Sequence, residues 1–62
     1  MIQEYDIVKS LRDLNDKVLK GCKGTVLIVY PDLPQAYEIE FVDDALKTLD
    51  VLTVEATDIV KI

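Results

Sequence analysis

A chain of 62 residues, 50% of them hydrophobic, has room for one domain, 1–62, built on one small core. With no histidine and a single cysteine, Cys22, it forms no internal disulfide and lacks the ligands of a structural zinc site. Twelve carboxylates against seven cations leave a net charge of −5, which disfavours general nucleic-acid binding, because that requires a basic footprint.

The charge is unevenly placed. Lys9, Arg12, Lys17, Lys20 and Lys23 crowd into residues 9–23 against only Asp13 and Asp16, and nearly all other charged side chains are acidic. The start, Met1 to Asp6, has no basic residues leading into an apolar run, so no secretory leader is expected. The longest apolar run, Val26 to Tyr30, is far too short to span a bilayer, and no membrane association is expected. A lone cysteine suits a reducing compartment, and a cytoplasmic location is the expectation.

In chain order, the first segment supports two readings. Ile7, Leu11, Leu14 and Val18 recur at helical spacing, and Lys17, Lys20 and Gly21 suit a helix C-terminus, so residues 6–20 read as an amphipathic helix. The competing reading is a strand from Tyr5 to Leu11 followed by a polar loop from Arg12 to Lys20. The next stretch, Gly21 to Pro31, is the most distinctive. Two glycines give backbone freedom for a tight lead-in, and Thr25–Tyr30 is a strand expected to be buried on both faces. Pro31 to Gln35, with two prolines, is a turn. Tyr37, Ile39 and Phe41 then alternate with Glu38 and Glu40, which predicts a half-buried strand pairing antiparallel with Thr25–Tyr30. Asp43 to Lys47 is a turn. Thr48 to Val54 is a third strand of mixed parity, with Leu49 and Val51 on one face and Leu52 and Val54 on the other, so it needs a bulge or burial on both sides. The tail from Glu55 to Ile62 is a tight polar turn and a short closing strand.

This order of elements is that of an all-β, small SH3-like barrel of about five strands, with one helical or 3-10 turn before the last strand. The residues Tyr5-Asp6-Ile7-Val8, Gly21 with Gly24-Thr25-Val26, Tyr37-Glu38-Ile39-Glu40-Phe41 and Leu52-Thr53-Val54 resemble a bacterial family of small proteins, domain of unknown function 4926. The resemblance spans essentially the whole chain and implies the strand reading for residues 5–11. Two departures stand out. The family carries Pro and Gly before the Gly-led strand, where Leu14 to Lys20 has neither, and a Gly after the Phe strand, where this chain has Ala45-Leu46.

Candidate chemistry is sparse. Cys22 lies between lysines that favour a thiolate, but without histidine it has no Cys–His base partner, and an ordinary loop-edge thiol explains it better. Glu38 and Glu40 project from one strand face about 7 Å apart, with Asp43 and Asp44 following. These four suit a partner-binding face better than a cation site, since no calcium-loop pattern is present. A solvated face whose charge discourages edge aggregation explains them more simply still. Lys17, Lys20 and Lys23 beside the Gly21-x-x-Gly24 lead-in are an alternative nucleic-acid contact, without the aromatic interleaving that would strengthen it. Tyr37 and Phe41 read as core rather than as a proline-peptide groove.

The expected role is therefore a non-enzymatic protein-interaction module without cofactors or metals. Its partner would be another protein, a basic one or a second copy, as for an antitoxin- or immunity-like partner of a neighbouring gene product. The alternative is an RNA- or ribosome-associated domain using the basic loop 17–23.

Overall fold

The computed structural model describes residues 1–32 and 35–62. Five strands, β1 (Ile7–Ser10), β2 (Lys23–Tyr30), β3 (Ala36–Val42), β4 (Thr48–Glu55) and β5 (Ile59–Lys61), form one antiparallel sheet in the order β4-β3-β2-β1-β5. A 3-10 turn, Ala56–Asp58, precedes β5. The fold is all-β, with β2 to β5 and the 3-10 turn where the sequence pattern puts them and β1 where the family resemblance implies a strand. No described helix is long and apolar enough to cross a membrane.

The connectivity forces the sheet to curl. β4 and β5 occupy opposite edges, about 19 Å apart if four inter-strand spacings lay flat. The three-residue 3-10 turn joining them advances only about 8 Å from Glu55 to Ile59. The two edges must therefore converge there, and the inner face wraps around Val8, Val26, Tyr37, Ile39, Phe41, Val54 and Ile59, with Val18 plugging it from the loop.

β3 shows the alternation its sequence predicts. Tyr37, Ile39 and Phe41 are buried, and Glu38 and Glu40 lie on the outer face. β2 departs from expectation. Val26 pairs with Ile39 and Ile28 with Glu38, so Leu27 is an extra residue in a bulge. The bulge resets parity: Val29 packs toward the core, whereas Ile28 is 46% and Tyr30 36% exposed. The run Val26 to Tyr30 is thus not buried on both faces.

A second bulge resolves the mixed parity of β4. Phe41 pairs with Asp50 and Val42 with Thr48, which leaves Leu49 unpaired. Leu49 and Leu52 can then both pack against the core, while Val51 faces out.

The helix reading for residues 6–20 does not hold. Residues 11–22 form an irregular loop. Asn15 accepts the backbone N–H groups of Lys17 and Val18, and Asp13 accepts that of Lys20. Side-chain acceptors thus hold amides that a helix would pair with carbonyls. The buried Ser10 fastens the loop: its hydroxyl donates to the Leu19 carbonyl at 2.8 Å and accepts the Cys22 N–H at 3.0 Å. The expected turn at Pro31–Gln35 includes Leu33 and Pro34, which lie outside the described residues.

The two glycines of the lead-in act differently. Gly21 has φ +93°, a conformation that favours glycine. Gly24 is needed for space, not for φ: a Cβ there would stand 2.5 Å from Ile39 Cγ2 and 3.1 Å from the Glu40 carbonyl oxygen.

Candidate functional site

Two surfaces collect the residues singled out in the sequence. The first is the outer face of β2, β3 and β4. Glu38 lies between Ile28 of β2 and Thr53 of β4, and Glu40 between Thr25 and Val51. The Thr53 hydroxyl donates to Glu38, and the Thr48 hydroxyl donates to Glu40 at 2.6 Å. These bonds fix both carboxylates without neutralising them. The ion pairs among the described residues are Arg12–Asp58 and Lys61–Asp6, so neither glutamate faces a paired cation. Ile28 and Val51, both over 40% exposed, flank them with apolar surface.

Asp43 and Asp44 do not join that face. Asp43 Oδ1 accepts the backbone N–H groups of Ala45 and Lys47 at 2.8 and 2.9 Å, which closes the β3–β4 turn. Asp44 is exposed on the same turn. Among the described residues no three acidic or cysteine side chains converge as a metal site would require.

The second surface is a half-open groove of about 480 Å³ between the lead-in to β2 and the β3–β4 turn. Lys20 and Lys23 border it with Asp43 and Asp44, and Cys22, Val42 and Leu49 contribute apolar lining. Part of each of the two sets proposed from sequence as alternatives, Asp43 and Asp44 of one and Lys20 and Lys23 of the other, thus meets at one depression. Lys17 is elsewhere, in a smaller hollow with Asn15, Asp16 and Asp50. Lys23 is instead opposed directly by Lys9 across the β1–β2 pair, a like-charge juxtaposition that costs stability. Cys22 is half-buried against the core, as a small apolar side chain would be.

Leu46, on the rim of the groove, was not singled out from sequence. It has φ +64° and is 78% exposed. The Leu46 N–H donates to the Asp43 carbonyl, and the Asp43 N–H to that of Lys47, so the turn demands a left-handed residue at position 46. The only sequence signal was the glycine expected nearby.

Two carboxylates are strongly placed outside both surfaces. Asp58 is held below its usual range, chiefly by the Glu55 backbone N–H, with the Arg12 guanidinium at 2.8 Å adding to this against the cost of desolvation. Asp6 is lowered in the same way by the Gln3 N–H, aided by Lys61.

The sequence profile of one protein family, a domain of unknown function (DUF4926), matches residues 4–61. The chain belongs to that family. No curated protein and no solved structure matches it. As a DUF4926 domain it carries the strands of the matched region on one curled sheet, and the outer face and the groove both lie within that region.

Proposed function

We propose that this DUF4926 chain is a non-enzymatic module that binds a basic protein surface through the outer face of β2, β3 and β4. The observation that carries this reading is the pair Glu38 and Glu40. Both are held by threonine hydroxyls, unmatched by a paired cation among the described residues, and flanked by exposed Ile28 and Val51. Fixed like charges within apolar surroundings steer and orient a cationic partner. A second copy docking about a two-fold axis through this centre would set carboxylate against carboxylate, so a different, basic protein fits better. An antitoxin- or immunity-like inhibitor of a neighbouring gene product would act in this way.

The test is to isolate the co-purifying partner and measure its affinity for wild type, the double variant Glu38→Lys/Glu40→Lys, and Ile28→Ser. The double charge reversal should weaken binding by about 100-fold or more, mostly through association rate and with strong salt dependence. Unchanged affinity, or recovery of the chain alone or only as copies of itself, overturns the reading.

A second reading, an RNA- or ribosome-associated domain using Lys17, Lys20 and Lys23, draws on the opposed Lys9 and Lys23. It is the lesser one, because Asp43 and Asp44 share the groove with Lys20 and Lys23, and Lys17 lies apart beside Asp16 and Asp50. Salt-sensitive shifts of the amides of residues 17–24 on adding RNA would favour it.

A further inference from the structure

We infer that the groove beside the β3–β4 turn is a second binding site, and that its occupant is an extended peptide segment carrying an apolar side chain between an acidic and a basic residue. This goes beyond the reading of the outer face and uses different side chains.

Three features carry it. The first is charge. Lys20 and Lys23 border the groove together with Asp43 and Asp44, yet none of the four takes part in an ion pair found among the described residues. Asp43 commits Oδ1 to the Ala45 and Lys47 N–H groups, but its Oδ2, the exposed Asp44 and both lysines leave each sign open to a ligand that brings its complement. The second is the lining. Cys22, Val42 and Leu49 offer apolar surface within a volume of about 480 Å³, in the range of ligand sites. The groove is half-open, which suits a segment passing through better than a small molecule that must be enclosed.

The third feature is Leu46. Its left-handed backbone carries a strain that glycine would relieve, and its side chain gains little from burial because 78% of the residue is exposed. A leucine held at a glycine-favouring position on the groove rim contributes little to the free domain. It does offer apolar surface to whatever lies in the groove, and strain of this kind points to a binding role. In an extended segment, residues i, i+2 and i+4 share one face, so acid, apolar and base at alternate positions meet the lysines, the apolar lining with Leu46, and the aspartates together.

The probe is the capped pentapeptide acetyl-Glu-Thr-Leu-Thr-Lys-amide, titrated into the full chain and followed by backbone NMR. Saturable shifts confined to the residues around 20–25 and 42–49, with a Kd below about 1 mM, are expected. Leu46→Gly should weaken binding at least about fivefold while keeping or raising Tm, so the loss is not one of folding. Lys20→Glu/Lys23→Glu, or the peptide Gln-Thr-Leu-Thr-Gln, should weaken it similarly. Glu38→Lys/Glu40→Lys should leave it unchanged, which separates this site from the outer face. The inference is overturned by an absence of saturable shifts, by wild-type binding in Leu46→Gly, by loss of binding in the outer-face variant, or by free leucine binding as tightly as the peptide.

Discussion

At the scale of single residues, the two glycines show how one residue type meets different demands. Gly21 serves a backbone conformation, and Gly24 serves a close approach between β2 and β3. Adding a methyl group at Gly24 would push against Ile39 and Phe41, both fully buried, and against backbone that cannot retreat. Gly24→Ala is therefore expected to cost about 3 kcal/mol. In thermal unfolding this should lower Tm by more than about 10 °C for a chain of this size. A Tm within a few degrees of wild type would show that the β2–β3 contact is looser than its geometry implies. Tyr5, with φ +67° and exposed, is a left-handed residue like Leu46, in the turn from Gln3 to Asp6 closed by the Asp6 N–H on the Gln3 carbonyl. Nothing in a leucine or tyrosine announces a positive φ, so Tyr5 gave no sign of it and Leu46 only the indirect one of a glycine expected nearby.

At the scale of elements, β3 was legible and the loop 11–22 was not. The strict alternation of Tyr37 to Phe41 survives folding because β3 lies in the sheet interior between two antiparallel neighbours. The helical spacing of Ile7, Leu11, Leu14 and Val18 was accidental. Only Val18 is fully buried, Leu14 packs at the core margin, and Ile7 and Leu11 are more than 40% exposed. What decides the loop is polar: Ser10 on Leu19 and Cys22, Asn15 on Val18, and the Asn15 amide donating to Asp50 at 2.9 Å. Val18 is the apolar anchor of this arrangement. Val18→Ala should cost about 2 kcal/mol, with earlier hydrogen exchange at Leu14 and Val18, whose amides the loop protects. Exchange there unaltered from wild type would mean that the polar bonds alone hold the loop. The bulges at Leu27 and Leu49 were only half visible: the mixed parity of Thr48 to Val54 signalled one, and the uniform apolar run of β2 concealed the other.

At the scale of the whole molecule, the ends of the sheet are tied together by Asp58. Its carboxylate accepts the Glu55 N–H and the Arg12 guanidinium, and its carbonyl accepts the Leu11 N–H, so β4, the 3-10 turn and the exit from β1 meet at one residue. Because its folded pKa lies below the unfolded value near 3.8, the stabilisation is present in full above that value. It is lost as pH falls through 3.8 toward the depressed folded value. Asp6, lowered in the same direction, adds to the acid sensitivity. Tm should be flat from neutral pH to about pH 5 and fall below about pH 4. Asp58→Asn should lower stability by about 2 kcal/mol at neutral pH and narrow the gap to wild type in acid. Parallel Tm curves for the two proteins would sink this assignment.

The sequence by itself determined the strands from Thr25 onward, their order along the chain and the outward placement of Glu38 and Glu40. These follow from local chemistry: alternation, turn residues and the short reach between neighbouring strands. The first strand, and with it the all-β class, rested on the family resemblance. Tertiary structure alone decided that β4 and β5 become the two edges of a curled sheet, that Leu27 is bulged, and that Lys20 and Lys23 share a groove with Asp43 and Asp44. Those outcomes depend on contacts between residues far apart in the chain. Composition and periodicity report each residue's own preference, and only the closure of the sheet selects its neighbours.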